Sequence, residues 1–144
     1  MDGRVFTLEE ANAILPQLNT VVGKQLQRRA EIEAALVRLG KELGDVPDRI
    51  VLDPADPADL RDLKRDLMRR IEEYRAGWRE VEEMGAVLKD ARMGLVDFYG
   101  RVDGKLVWLC WKYGEDEIAH YHALEDGFSA RKPIAESMRY RLLN

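Results

Sequence analysis

The chain contains a single cysteine, Cys110, so no disulfide can form within it. No apolar run comes near the roughly 20 residues that a membrane-spanning helix needs. The first ten residues, MDGRVFTLEE, include no apolar signal-peptide segment. A glycine-rich phosphate loop and a dinucleotide-binding fingerprint are also missing. We therefore expect a soluble cytoplasmic protein with no membrane partner, and we expect no cofactor.

An excess of basic residues is missing as well. Lys and Arg number 23 against 27 Asp and Glu, and the formal net charge is -4. Acids and bases are interleaved, which is typical of exposed helix faces, whereas a nucleic-acid-binding protein usually carries a basic patch. We therefore expect no nucleic-acid partner. A chain of 144 residues, 46% of them hydrophobic, is long enough for one domain with its own core.

The first helix is predicted from a start signal followed by apolar residues at helical spacing. Thr7 can cap the helix, and Glu10, three residues later, completes a capping box. Because proline lacks a backbone N–H and disfavours a helical residue before it, Pro16 predicts a kink or a short break. Gly44 is typical of the residue after a helix end.

The second helix is predicted to run without interruption over residues 57–93. Asp56 followed by Pro57 is typical of a helix start. A nearly heptad-spaced apolar stripe follows: Leu60, Leu63, Leu67, Ile71, Tyr74, Trp78, Val81 and Leu88. Two long helices with one stripe each most simply form an antiparallel hairpin over residues 7–93. A parallel dimeric coiled coil is the less simple alternative.

An antiparallel meander is predicted over residues 95–122. Asp103-Gly104 between two apolar runs is a strong two-residue hairpin signal. The strand 105–112 is apolar on both faces, and three short strands with one helical hairpin would not cover both. The pattern therefore predicts a homo-oligomer that associates through this strand and the helix stripes.

The predicted architecture is a single α+β domain, residues 1–144. A long antiparallel helical hairpin is expected to pack on a small three-stranded antiparallel sheet. A C-terminal tail, residues 123–144, follows the meander, and a short helix could form near its end, at residues 135–143.

Two histidines, His120 and His122, are the most distinctive candidates for a site. Two residues apart on a strand, their rings point to the same face, a spacing that suits two imidazole ligands of one zinc ion. The candidates for a third ligand are Glu115, Asp116, Glu125, Asp126, Asp97 and Cys110. The alternative is a half-buried strand whose histidines bond to carboxylates.

We favour that alternative, because a metal needs at least three converging ligands and fewer are expected here. The ring of His122 is predicted to bond to a carboxylate or to the backbone of the loop at Arg131. The carboxylates in reach are those of Glu117, Glu125, Asp126 and Asp97.

Other side chains near the histidines allow further interpretations. The carboxylates of residues 115–117 and 125–126 could do general acid–base work or could form a solvated turn. Cys110 in mid-strand is typical of a small buried hydrophobe rather than a nucleophile. Arg131 and Lys132 could bind an anion, although a surface loop is the simpler interpretation. Aromatic residues could line a small-molecule pocket or belong to the core: Trp108, Trp111, Tyr113, Tyr121 and Phe128.

Three segments of the chain resemble one known family. They are FTLEEANAILPQL, GLVDFYGRVDGKLVWLCWKYGEDEIAHYHALEDGF and ARKPI, and together they are similar to the uncharacterised bacterial family named domain of unknown function 2203. The resemblance covers nearly the whole chain. It implies no established activity.

The resemblance also bears on the histidines. In the family pattern an aromatic pair precedes one histidine; His120 and Tyr121 take those places here, so His122 matches the family's histidine. The resemblance thus shifts weight from a two-histidine metal site to a ligand site of His122 with Glu117, Asp126, Gly127 and Arg131, to which Trp111 is added as an aromatic neighbour. The expected function is a binding or assembly module. The alternative is a small metal- or anion-dependent enzyme built on His122.

Overall fold

The computed structural model describes residues 4–135, which form two compact units. The first, the sheet unit, combines the described parts of Met1–Gly23 and Arg79–Asn144. The second, the hairpin unit, is Lys24–Trp78. The helix suggested for the tail lies outside the described residues beyond residue 135, and the single-domain organisation stays a prediction.

The first helix, α1 (Leu8–Leu43), is continuous. Its predicted capping box is confirmed, because the Thr7 amide donates to Glu10 Oε1 at 2.8 Å and the Glu10 amide donates to Thr7 Oγ1 at 3.0 Å. Pro16 lies inside α1 without interrupting it, so the alternative of a short break is wrong, and the kink stays a prediction. Gly44 follows the helix with φ of 86°, the left-handed conformation expected of a terminating glycine.

The second helix, α2 (Ala58–Glu83), ends ten residues before the predicted limit. Gly85 turns the chain with φ of 93°, and the ring of Phe6 lies where a side chain at this position would go. Strand β1 (Val87–Asp90) follows at once. The prediction of an unbroken helix over residues 57–93 is therefore wrong, because Leu88 belongs to a strand and not to the helical stripe.

Within residues 4–135 the sheet contains five antiparallel strands in the order β1-β2-β3-β4-β5, so the prediction of three strands is wrong. After β1 come β2 (Leu95–Val102), β3 (Lys105–Lys112), β4 (His120–Ala123) and β5 (Lys132–Pro133). The predicted α+β class and the antiparallel meander are confirmed. The two edge strands were missed because they are only four and two residues long.

The predicted two-residue hairpin joins β2 to β3. Asp103 has φ of 53° and Gly104 has φ of 81°. Positive φ at both central residues is the signature of the turn type that matches the twist of two antiparallel strands. The turn sets a continuous register from Val102 opposite Lys105 to Leu95 opposite Lys112.

Strand β3 is covered on both faces within the sheet unit. Trp108 is 6% exposed on one face and Trp111 is fully buried on the other. The premise that this strand needs a partner subunit for cover is therefore wrong, and only Leu106 among its apolar side chains is exposed. Self-association itself stays a prediction.

The hairpin unit pairs the second half of α1 with most of α2 in antiparallel fashion. Its core is Ile32, Ala35, Leu39 and Leu67. Gln25, fully buried, donates from Nε2 to the Tyr74 carbonyl at 2.6 Å. Lys64, also buried, donates to Asp56 Oδ2 at 2.7 Å and to the carbonyl of Val51, which ties the interhelical loop down.

Neither helix has the apolar length of a membrane span in the part of the chain that the structure describes.

Gly100→Ala should destabilise the protein by about 1–3 kcal/mol, a typical effect of overpacking. A methyl group there would lie 2.7 Å from Leu109 Cγ, and Leu109 is fully buried and cannot yield. Urea unfolding followed by circular dichroism measures the change. Gly127→Ala is the matched control: its φ is -116°, nothing lies within 4 Å of the new methyl group, and the free energy of unfolding should stay within about 0.5 kcal/mol of the parent. Equal effects of the two substitutions would contradict the packing described here.

Candidate functional site

The register of β2, β3 and β4 places a row of polar side chains across one face of the sheet. Asp97 on β2 is opposite Cys110 on β3, and Cys110 is opposite His120 on β4. His122 lies two residues further along β4, opposite Trp108. Because side chains alternate along a strand, all of these residues share one face, as predicted for the two histidines.

Three of these side chains converge. The ligand atoms of Asp97, Cys110 and His122 all lie within 4.8 Å of one another. Asp97 and Cys110 are fully buried, and His122 is 3% exposed. The expectation of fewer than three converging ligands is therefore wrong. The sequence had placed Asp97 and Cys110 among alternatives for one position, and only the register shows that both reach it.

His122 is held by both ring nitrogens. Nδ1 lies 3.0 Å from the carbonyl oxygen of Ala123, and Nε2 lies 2.9 Å from Asp97 Oδ2. A carbonyl can only accept, so Nδ1 carries a proton and Nε2 faces the carboxyl group. The predicted bond from His122 to a carboxylate is confirmed, and the partner is Asp97 rather than Glu117, Glu125 or Asp126.

Asp97 is the least hydrated acid of the sheet. Burial raises its pKa above the usual aspartate value, and the neighbouring His122 opposes part of that shift. Its second oxygen, Oδ1, is buried and has no hydrogen-bond partner among residues 4–135. A hydrogen bond with the Cys110 thiol acts against the rise in pKa, and a cation bound beside this carboxyl group would offset more of the cost of its burial.

Cys110 is not built as a nucleophile in this arrangement. Burial raises the pKa of its thiol to about 12, and the charge of Asp97 adds to the effect. Both nitrogens of His122 already have other partners, and the buried Nδ1 of His120, opposite Cys110 on β4, makes no hydrogen bond within residues 4–135. A thiol in this setting can still act as a metal ligand, because a bound metal displaces the proton.

Arg131 approaches the site from the segment after β4. Its Nη1 donates to Cys110 Sγ at 3.9 Å, and its two terminal nitrogens lie 3.2 and 2.9 Å from the two oxygens of Glu115. Partial burial acts to raise the pKa of Glu115, but bonds from Arg131 and from the Lys112 amide outweigh it and hold that pKa below the usual value. Arg131 is therefore paired with Glu115. It is neither an unpaired cation available to an anion nor part of a loop without specific contacts.

The remaining predicted residues lie elsewhere. Glu117 and Asp126 are exposed, and neither is the partner of His122. Trp111 is buried on the opposite face, where its indole donates to the Glu115 carbonyl at 2.9 Å. His120 is on the site's face but outside the converging group, and its buried Nδ1 has no hydrogen-bond partner in the described part of the chain.

The five aromatic residues do not line one pocket. Trp108 stacks on Tyr99, with ring centroids 4.1 Å apart, on the face that carries Cys110. Trp111 and Tyr113 line a groove on the other side of the sheet, together with Asn12 of α1. The strand alternation of β3 separates the two tryptophans.

Comparison with known proteins adds one relationship. The family described as "Uncharacterized conserved protein (DUF2203)" matches residues 4–134. Neither a curated protein nor a solved structure matches the chain. The match spans the whole sheet and the whole helical hairpin, together with Asp97, Cys110, His122 and Arg131. The chain therefore belongs to the DUF2203 family of uncharacterized conserved proteins.

Proposed function

We propose that this protein binds a divalent transition-metal ion, with zinc as the favoured ion, through Asp97, Cys110 and His122. The observation that carries the proposal is the convergence of three different ligand atoms within 4.8 Å of one another at a buried position. A carboxylate, a thiolate and an imidazole are all first-rank zinc ligands. Of the alternative, a metal- or anion-dependent enzyme built on His122, this proposal keeps the metal and drops the anion.

The orientation of His122 supports this proposal. Histidine ligands usually donate their second ring nitrogen to a backbone carbonyl or a carboxylate, which fixes the tautomer. Here Nδ1 donates to the Ala123 carbonyl at 3.0 Å, so Nε2 is the nitrogen that would bind the metal, in place of its present bond to Asp97 Oδ2. The ring is thus already oriented as a ligand.

Distances and charge also support the site. Bonds of about 2.0–2.3 Å place the ligand atoms of a tetrahedral zinc ion about 3.3–3.8 Å apart. His122 Nε2 and Asp97 Oδ2, now 2.9 Å apart, would have to separate slightly. A dipositive ion with one thiolate and one carboxylate has no net charge, which suits a buried position.

Three protein ligands leave the fourth position of a tetrahedral zinc ion to a water molecule or a further group, but the burial of all three favours metal binding over catalysis. A hydrolytic zinc site keeps one position accessible to water and substrate, whereas Asp97 and Cys110 have no exposed surface. The proposed role is therefore metal binding that stabilises the sheet or changes its conformation. Turnover of a substrate is not part of the proposal.

The full chain should bind one zinc ion, and Cys110→Ser, His122→Gln or Asp97→Asn should each weaken binding by at least about 100-fold, because removing a ligand does more than removing its outer partner. Elemental analysis and competition titration with a chromophoric chelator measure stoichiometry and affinity. Calorimetry in buffers of different ionisation enthalpy should detect protons released on binding.

Asp116→Asn is the matched control, because it removes an exposed acid close to the site in sequence. It should leave zinc affinity unchanged. Absence of zinc binding by the parent chain at micromolar concentration would refute the proposal. An equal loss of zinc affinity in the control and in the three ligand variants would mean that zinc binds nonspecifically at the surface.

His120→Ala should weaken zinc binding by less than about tenfold, because His120 lies outside the converging group. The same titration measures the effect. A loss as large as that of His122→Gln would instead make His120 a fourth ligand and restore the predicted two-histidine site.

Self-association is a second proposal, and the hairpin unit supports it. The buried core there consists of four residues, and further apolar side chains pack against it only partly buried: Leu36, Ile50, Leu60, Leu63, Ile71 and Tyr74. A second copy of the hairpin could complete this core as a four-helix bundle.

Light scattering after size exclusion should therefore report a dimer at micromolar concentration. Leu60→Glu should shift the mass to that of a monomer. The control Val37→Glu should not, because Val37 is 56% exposed and does not pack against that core. A monomeric parent chain would exclude the proposal.

A further inference from the structure

A guanidinium group touches the only thiol of the chain. Arg131 Nη1 lies 3.9 Å from Cys110 Sγ, which is long but within the range for a hydrogen bond to sulfur. Cys110 has no exposed surface, and the side chain of Arg131 is 17% exposed. The contact thus lies under the surface, where a charged group needs specific partners.

The position of Arg131 is determined on two further sides. Its two terminal nitrogens form a forked pair with the carboxylate of Glu115, at 3.2 and 2.9 Å. Glu115 Oε1 accepts a further bond from the Lys112 backbone amide at 2.8 Å, so β3 itself anchors the carboxylate. The guanidinium also lies 4.3 Å from the centre of the Phe128 ring. Because the planar guanidinium is fixed by these contacts, the N–H group that faces Cys110 points in one direction.

That direction matters for the proposed metal ligand. A thiolate without water around it lacks the hydrogen bonds that would stabilise its charge. One N–H group aimed at the sulfur replaces part of that hydration, while the metal takes another lone pair. Groups of this kind, one shell outside the metal, typically change affinity by about 10–100-fold.

We propose that Arg131, clamped by Glu115, is the positioning residue of the metal site and makes it selective for cations that bind through sulfur. The proposal rests on the zinc site proposed above. A cation bound through the Asp97 carboxylate alone would meet the positive charge of Arg131 with no thiolate to offset it. The site should therefore take zinc, cobalt or cadmium and reject magnesium and calcium, which prefer oxygen ligands.

The test compares the full chain with Arg131→Gln, Arg131→Lys and Glu115→Gln. Zinc affinity is measured by competition titration, and cobalt serves as the spectroscopic probe, because its thiolate charge-transfer band reports directly on the sulfur. Arg131→Gln should weaken zinc binding by about 10–100-fold and shift that band. Arg131→Lys keeps the positive charge but loses the planar fork. Its zinc affinity and cobalt band should therefore lie between those of the parent chain and those of Arg131→Gln. Glu115→Gln should act in the same direction with a smaller effect.

Lys132→Gln is the matched control. It neutralises the neighbouring cation, whose side chain is exposed and whose strand position pairs with Tyr121. Affinity, band position and the preference for zinc over magnesium should all equal those of the parent chain. A shift of the cobalt band in this control as large as that in Arg131→Gln would mean that general charge, not the contact with sulfur, is responsible, and would overturn the proposal.

Two outcomes separate this inference from the zinc site itself. If the parent chain binds zinc and folded Arg131→Gln has the same affinity and cobalt band, Arg131 has no role while the metal site stands. If the parent chain binds no zinc, the metal site fails and this inference fails with it. Should Arg131→Gln not fold, by circular dichroism, folded Arg131→Lys decides: an unchanged cobalt band overturns the proposal.

Discussion

The hydrogen bond between His122 and Asp97 is the interaction on which this face of the sheet depends. It joins β2 to β4 across β3, at 2.9 Å, with both side chains withdrawn from water. A buried carboxyl group needs a partner: burial raises the pKa of Asp97, and the neighbouring His122 opposes part of that rise. Removing either partner would leave the other unpaired in the interior, which is more costly than never having placed the pair there.

The thiol of Cys110 lies beside this pair, and that position decides what the cluster can do. A nucleophilic cysteine requires a base bonded to it and an approach for substrate, whereas both nitrogens of His122 bond to other groups and Cys110 is buried. A metal ligand requires only a lone pair directed at a shared point. The same burial that raises the thiol pKa to about 12 therefore argues against covalent catalysis and is compatible with metal binding, where the proton is exchanged for the ion.

The polar and charged groups around the cluster follow one another from the interior outward. The carboxyl of Asp97 and the thiol of Cys110 lie innermost, the guanidinium of Arg131 contacts the sulfur, and the carboxylate of Glu115 holds the guanidinium. Each charge is thus next to one of opposite sign or next to the proposed cation position. Such an arrangement lets a buried site keep several ionisable groups without a large net charge. Asp97 Oδ1 has no hydrogen-bond partner among residues 4–135.

Two local signals predicted the structure correctly, because they depend only on neighbouring residues. The capping box at Thr7 and Glu10 needs only a three-residue spacing, and the Asp103-Gly104 turn needs only two residues that accept positive φ. The strand alternation placed His120 and His122 on one face for the same reason. The end of α2 was misjudged because Leu88 continues the helical spacing of apolar residues and also suits a strand, and the turn at Gly85 arises where the Phe6 ring packs.

By itself the sequence determined the α+β class, the meander, the capping box at Thr7 and a small set of partners for His122 that included Asp97, because these follow from spacing, backbone conformation and the density of nearby acids. Only the tertiary structure decided which carboxylate it is, that β3 is covered on both faces, and that Asp97, Cys110 and His122 meet. The physical reason is that these depend on strand register. Register is set by a turn and by packing far from the site, and a shift of one residue would send every side chain of a strand to the other face.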